Sequence, residues 1–158
     1  MTKIIEGKPS GKGLRFGVVV GRFNSFVTDK LLDGALEALK GCGVEEEDMV
    51  VVRVPGSFEV PPAAKKLADS GRFHAVVCLG AIIKGETPHW DYLGRTVSDA
   101  IARTALESGV PLTFGILTTE TRDTALARAE ERGDNRGYNA AIAAVEMADL
   151  YRQMEGNR

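Results

Sequence analysis

The chain has 158 residues, 44% of them apolar and 27% charged, which is the balance of a single globular domain. Its 20 basic and 22 acidic residues leave a net charge of −2, which excludes most nucleic-acid or membrane binding driven by bulk charge. The longest apolar run, residues 75–83, is far shorter than the roughly 18 residues that a bilayer span requires.

Short apolar runs alternate with longer amphipathic segments, and this alternation predicts strands and helices in turn. In chain order the pattern predicts a strand at 14–20, a helix at 27–40, a strand at 49–54, a helix at 60–69, a strand at 75–83, a helix from Thr87 to about 108, a strand at 112–117, and helices at 122–131 and about 135–153. Thr87 is the expected N-cap of the third helix, with Pro88 at its first position.

Strands rich in Val and Ile, each followed by a helix, are typical of βαβ units. We therefore expect residues 14–158 to form one three-layer α/β domain, with a parallel four-stranded sheet and helices on both faces. Residues 1–13 are rich in Gly and Lys, with an apolar pair at Ile4 and Ile5. We expect them to form an N-terminal arm outside the core, which can dock on the sheet edge of a neighbouring chain.

Neither cysteine has a partner at the spacing of a metal or redox site. Cys78 lies inside the third predicted strand, where we expect a buried thiol, and Cys42 lies between two glycines, where we expect a surface thiol. The N-terminal residues also lack the apolar segment of a secretory signal. These observations predict a cytoplasmic protein.

Aromatic residues follow two of the predicted strands. Ligands of parallel α/β sheets bind beyond the carboxyl ends of the strands, where loops and helix N-termini converge. Phe23 and Phe58 lie in such loops, after the first and second strands. Each ring either packs against a planar ligand or only covers the top of the core. The sequence leaves both interpretations open.

The loop after the third strand has the features of an anion site. Gly85 lets the backbone come close to a ligand, and the following helix N-terminus offers unpaired N–H groups that suit a phosphate, provided that the Glu86 carboxylate points away. The alternative is that Thr87 only caps the helix. His89, in the first helical turn, is the candidate proton-transfer residue, whereas His74 has no such setting and is expected to be structural.

Four blocks of sequence carry a resemblance to a known family: GRFN at 21–24, VPGSFEVP at 54–61, GAIIKGETPHWDY at 80–92 and FGILTTE at 114–120. With these blocks, the chain from residue 17 to about 150 resembles the 6,7-dimethyl-8-ribityllumazine synthases. The resemblance implies a flavodoxin-like fold. It also implies that 5-amino-6-(ribitylamino)uracil condenses with 3,4-dihydroxy-2-butanone 4-phosphate, releasing phosphate and water without cofactor or metal, in the penultimate step of riboflavin biosynthesis.

The resemblance further implies the roles of individual residues. Phe23 would stack on the pyrimidine, and His89 would transfer protons. The other residues around the pyrimidine and ribityl chain would be Asn24, Ser57, Phe58, Glu59 and the backbone of Ile82 and Ile83. The residues that hold the phosphate would be Gly85, Glu86 through its backbone, Thr87 and Arg128. Phe114 would complete the pocket of a neighbouring subunit, which implies a homopentamer.

The chain departs from the family in the connection 128–136. It carries Glu130 and Glu131 where many members have Gly-Thr, and it lacks their second Gly before Asn135. Because this connection lies where pentamers meet in the family's icosahedral shells, both a free pentamer and a shell remain open. Two other functions also remain open: a non-catalytic lumazine-binding, flavin-binding or shell-forming protein on the same fold, and a monomeric flavodoxin-like binding module.

Overall fold

The computed structural model describes residues 1–131 and 133–156. In chain order the strands and helices are β1 (Phe16–Gly21), α1 (Ser25–Gly41), β2 (Met49–Val54), α2 (Val60–Asp69), β3 (Ala75–Ile83), α3 (His89–Ser108), β4 (Leu112–Thr119), α4 (Arg122–Ala127) and α5 (Arg136–Gly156). Every predicted strand and helix is present, and the bounds of β2, α2 and β3 agree with the prediction. Arg132, in the connection that departs from the family, lies outside the described residues, as does the predicted end of the domain at Asn157 and Arg158.

The four strands form a parallel sheet in the order β2-β1-β3-β4, so that β1 and β3 are central and β2 and β4 are the edges. Every residue of β1, and all but the last of β3, is buried, because helices cover both faces of the sheet. The prediction of a flavodoxin-like α/β fold with a parallel four-stranded sheet is therefore confirmed.

Alternate side chains of β1 divide the core into two layers. Val18 and Val20 pack with residues of α1 and α5, and Ala125 of α4 belongs to the same cluster. Val19 packs in the other cluster, with Val60 of α2 and Val97 of α3. The sheet therefore has α1, α4 and α5 on one face and α2 and α3 on the other.

Helix α4 is shorter than predicted. It ends at Ala127 rather than at 131, because Ala129 forms an antiparallel bridge with Asn135. The Asn135 side chain accepts a hydrogen bond from Tyr138 N at 2.9 Å and donates one to Lys30 O at 3.1 Å. These contacts support the start of α5 and tie it to α1.

Residues 1–13 contain no helix or strand, and part of this segment lies against α5. Lys8 N donates a hydrogen bond to Asp149 Oδ2 at 2.9 Å. A Cβ built on Gly7 would clash with the backbone oxygen of Glu146, so this approach requires glycine. The segment is therefore attached to the C-terminal helix at Gly7 and Lys8.

The structure describes the surroundings of the two cysteine thiols and the length and polarity of the helices. Both cysteines are free: Cys78 is buried, which raises the pKa of its thiol to about 12, and Cys42 is half-buried rather than on the surface. Burial and, to a lesser extent, the Glu146 carboxylate raise the pKa of Cys42. Within the described ranges, each helix is too short or too polar to span a bilayer.

Candidate active site

A cleft of about 380 Å³ opens at the carboxyl ends of β1 and β3, beside the first turns of α3. A parallel sheet places ligand sites at this position. The residues that line the cleft are Phe23, Ser57, Ala81, Ile82, Ile83, Gly85, Thr87, His89, Trp90 and Leu93. All except Ala81, Trp90 and Leu93 belong to the site predicted from the sequence.

Asn24 fixes the loop that carries Phe23. Its backbone has a φ of +65°, in the left-handed region that asparagine tolerates better than most residues. Its side-chain Nδ2 donates a hydrogen bond to Ala81 O at 2.8 Å, and its backbone oxygen accepts from Val27 N at 2.9 Å to begin α1. The amide nitrogen of Asn24 is therefore used to join the first loop to β3, which positions the neighbouring Phe23.

Ser57 reaches the cleft because glycines let the loops and strands come close together. A Cβ built on Gly80 would lie 2.5 Å from Ser57 Oγ, and one built on Gly21 would lie 3.0 Å from the carbonyl carbon of Gly56. The Ser57 side chain is buried by this packing. It forms the floor of the cleft against β3.

The two loop phenylalanines do not cover the core. Phe23 is 74% exposed and Phe58 is 61% exposed, so these rings are free to pack against a ligand. Phe23 lines the cleft, whereas Phe58 and the half-buried Glu59 do not line it in the single chain. The exposure of the rings favours the ligand-packing interpretation.

The loop before α3 differs from the prediction at its cap. Pro88 is the N-cap of α3 and makes no side-chain capping bond, so the expected cap at Thr87 is wrong. Instead of capping the helix, the Thr87 hydroxyl lies 2.6 Å from His89 Nδ1, because the imidazole competes with the helix N–H groups for it. Glu86 is exposed and does not line the cleft. The N–H groups at the start of this helix therefore have no side-chain cap, which keeps the predicted anion site available.

His89 begins α3 and faces the cleft with its ring exposed. Thr87 Oγ1 lies at its Nδ1, and the ring of Tyr92 meets it edge to face with 5.3 Å between the centroids. His74 has a different role, since its Nδ1 accepts a hydrogen bond from Arg15 N at 2.9 Å. This contact agrees with the structural role predicted for His74.

The sequence prediction assigned no role to Trp90 and Leu93, which line the cleft from α3. Both pack against the core cluster that contains Val97 and Ile101 of the same helix. The signal was present in the sequence, because residues 90, 93, 97 and 101 have the spacing of one helix face. The first members of such a face must emerge at the end of the sheet, where the cleft lies.

Phe114 lies away from the cleft of its own chain. It pairs with Cys78 in the sheet, whereas Ile82 pairs with Thr118. The separation of four residues corresponds to roughly 13 Å along a strand. Phe114 is 48% exposed on the edge strand β4.

Arg128 also does not line the cleft of its own chain. It follows α4, whose Ala125 packs on the face of the sheet opposite to α3. Its Nε lies 3.8 Å from Asp134 Oδ2, and Asp134 also pairs with Arg136 at 3.0 Å. Within one chain, neither Arg128 nor Phe114 is brought together with His89.

Residues 13–152 match the family model described as 6,7-dimethyl-8-ribityllumazine synthase. The chain belongs to the lumazine synthase family. A relative of that name from Syntrophus aciditrophicus (strain SB) is 51% identical over 154 residues, which cover 98% of this chain and 100% of the relative. Another from Clostridium kluyveri (strain ATCC 8527 / DSM 555 / NBRC 12016 / NCIMB 10680 / K1) is 49% identical over 153 residues, which cover 97% and 99%.

Membership of the lumazine synthase family confirms the resemblance inferred from the four sequence blocks. The cleft joins an aromatic ring, a serine floor, an apolar wall, a helix N-terminus and an imidazole. Such a set can hold a planar ring and an anion side by side and transfer protons between them. Among the described residues, no three His, Cys, Asp or Glu side chains are grouped as metal ligands.

Proposed function

We propose that the cleft condenses 5-amino-6-(ribitylamino)uracil with 3,4-dihydroxy-2-butanone 4-phosphate to form 6,7-dimethyl-8-ribityllumazine. The observation that carries this proposal is the presence of Phe23, the start of α3 and His89 around one cleft. The family and its named relatives support the same reaction. The chain is accordingly a transferase of riboflavin biosynthesis.

The pyrimidine would lie on the Phe23 ring, at the end of β3. Ile82 and Ile83 line the cleft there, and their backbone would contact the edge of the pyrimidine. Ser57 would contact the ring or the ribityl chain from the floor. Asn24, Phe58 and Glu59 would complete these contacts, with Asn24 acting through the loop that it holds and through its side-chain oxygen.

The phosphate would lie at the N-terminus of α3. A Cβ built on Gly85 would meet nothing within 4 Å, so the backbone there is open to a ligand. The backbone N–H groups of Gly85 and Glu86, the Thr87 hydroxyl and the helix dipole would bind the anion. Arg128 would add a guanidinium, which suits phosphate because it donates two parallel hydrogen bonds.

The chemistry requires proton transfer and positioning. The 5-amino nitrogen forms a C=N bond with the ketone carbon, whose oxygen leaves as water. A proton then leaves the adjacent carbon while the phosphate departs with the electron pair of its C–O bond. The resulting enol becomes a ketone, and the ribitylamino nitrogen attacks this carbonyl carbon, whose oxygen leaves as a second water when the ring closes. His89 would move these protons, and the ordered pairing of the two substrates would supply much of the rate.

We infer a homopentamer in which Phe114 and Arg128 reach the cleft of a neighbouring subunit. Val50 and Val51 are exposed on the edge strand β2, and Phe114 is exposed on the opposite edge. Because these two surfaces differ and lie on opposite edges of the sheet, they suit a head-to-tail ring, in which one surface of a subunit meets the other surface of its neighbour. Residues 1–13 would form an arm on this assembly, and residues 14–158 would form the single domain of each subunit. The pentamers can remain free or join into an icosahedral shell.

We place the protein in the cytoplasm, where its two free thiols would stay reduced.

The deciding experiment mixes the purified protein with both substrates and follows lumazine absorbance and phosphate release. We expect the two products to appear together, faster than in a control with heat-denatured protein. A rate equal to the spontaneous reaction would overturn the proposal. Quenching of Trp90 fluorescence by lumazine without turnover would identify a non-catalytic binding protein instead, because Trp90 is the single tryptophan and lines the cleft. A separate measurement, light scattering, gives the number of subunits in the assembly. A monomer would contradict a site to which two subunits contribute residues.

A further inference from the structure

The side chains of Thr87 and His89 form a short contact at the mouth of the cleft. Thr87 Oγ1 lies 2.6 Å from His89 Nδ1, and both residues line the cleft. The hydroxyl does not cap α3, whose N-cap is Pro88. Its contact with the imidazole therefore calls for a role other than helix capping.

A hydroxyl can take either part in this hydrogen bond. If Thr87 donates to Nδ1, a neutral His89 carries its hydrogen on Nε2. If Thr87 accepts from Nδ1–H, Nε2 has a free lone pair and can accept a proton. The direction of the hydroxyl hydrogen thus selects the tautomer of the imidazole.

We propose that Thr87 is a positioning residue that turns His89 into a base only when phosphate is bound. Resting on the function proposed above, the phosphate lies at the start of α3 and accepts the Thr87 hydroxyl hydrogen. Thr87 Oγ1 then accepts from Nδ1–H, and Nε2 is left free to take a proton. As the phosphate departs it takes the Thr87 hydroxyl proton, and Thr87 Oγ1 takes the proton of Nδ1 in exchange. The hydroxyl then donates to Nδ1, and the neutral ring holds on Nε2 the proton that it took, ready to donate.

The chain contains its own reference for a spectroscopic test. It has two histidines, and His74 Nδ1 accepts a hydrogen bond from Arg15 N at 2.9 Å, which fixes the hydrogen of the neutral ring on Nε2. Burial, and after it the charge of Arg15, lowers the pKa of His74, which favours the neutral ring. Nitrogen-15 spectra of histidine-labelled protein distinguish a protonated from an unprotonated ring nitrogen at each site.

The test adds inorganic phosphate to wild type, Thr87→Ser and Thr87→Val. Serine keeps the hydroxyl, whereas valine has nearly the same shape without it. We expect phosphate to move the hydrogen of His89 to Nδ1 in wild type and Thr87→Ser, but not in Thr87→Val, while His74 stays unchanged in all three. An equal response in Thr87→Val, or no response of His89 in wild type, would overturn the proposal.

Steady-state kinetics give a second readout on the same variants. Thr87→Val should lower kcat about tenfold relative to Thr87→Ser, a part of the roughly 100-fold or more that proton transfer contributes. A role in phosphate binding alone would raise the KM for the butanone phosphate and leave kcat unchanged, which would contradict the proposal. If wild type forms lumazine but its His89 tautomer ignores phosphate, only this inference fails. If the tautomer responds but no lumazine forms, the proposed function fails.

Discussion

The backbone nitrogen of Lys8 donates a hydrogen bond to the carboxylate of Asp149, across 141 positions of sequence. Asp149 is buried and also accepts hydrogen bonds from Arg152 Nη2 and Gln153 Nε2, both at 2.7 Å. The bond to Arg152, followed by the bond from Lys8, lowers the pKa of Asp149 from 3.8 to about 2. The ionised carboxylate therefore stabilises the folded chain and its N-terminal segment.

Asp149→Asn should lower the free energy of unfolding at pH 7 by about 1–3 kcal/mol, the range for losing charge-assisted hydrogen bonds. Because the folded pKa lies below the unfolded value, this stabilisation is fully present above pH 3.8 and is lost as the pH falls through about 2. Denaturant unfolding at a series of pH values measures it. A difference between wild type and variant that stays constant down to pH 2 would contradict the assignment.

Gly7→Ala should detach the N-terminal segment from α5, because the new methyl group would clash with Glu146 O. The expected result is faster tryptic cleavage after Lys3 and Lys12, the lysines on either side of Gly7 that are not followed by proline, measured by mass spectrometry. Gly41→Ala is the matched control, since a Cβ there meets nothing within 4 Å. Equal cleavage rates in the two variants would show that the contact at Gly7 does not hold the segment.

His89→Ala should reduce kcat by about 100-fold or more, the lower range for losing a proton-transfer group. Measurable activity should remain, because the binding and orientation of the substrates survive. Trp90 fluorescence checks that lumazine still binds. An unchanged kcat would remove His89 from the reaction.

Arg128→Ala should raise the KM for the butanone phosphate more than the KM for the pyrimidine, because only the former carries a phosphate. Arg122→Ala, at the start of α4, the helix that Arg128 follows, is the control, since the Arg122 guanidinium lies 3.9 Å from the centroid of the Phe26 ring. It should leave both constants nearly unchanged. Equal increases in both KM values for Arg128→Ala would count against phosphate binding.

Much of the fold could be predicted because its signals are local. The bounds of β3 follow from a nine-residue apolar run that ends at a loop, and those of α2 from prolines that fit only in a first helical turn. The end of α4 could not be predicted, because it depends on a bridge between Ala129 and Asn135 and on a hydrogen bond from Asn135 to Lys30, 105 positions earlier. Propensity does not report such contacts.

The residues of the candidate site likewise divide into those that the sequence could predict and those that it could not. The topology of the sheet pointed to Gly85 and His89, and the structure places both at one cleft. The prediction that the Thr87 hydroxyl caps α3 is wrong, because the imidazole of His89, two residues later, competes with the helix N–H groups for this hydroxyl. The roles of Phe114 and Arg128 stay predictions, since neither residue lines the cleft of a single chain.

The contact between Gly80 and Ser57 also determines how the substrate range of this protein could be redesigned. The floor of the cleft is set by backbone packing, so any larger residue at Gly80 would displace Ser57 and disturb the sheet. The wall formed by Trp90 and Leu93 consists of side chains on α3 that are only partly buried. Libraries that vary these two positions can enlarge the cleft for bulkier ring systems while the strands below keep their register.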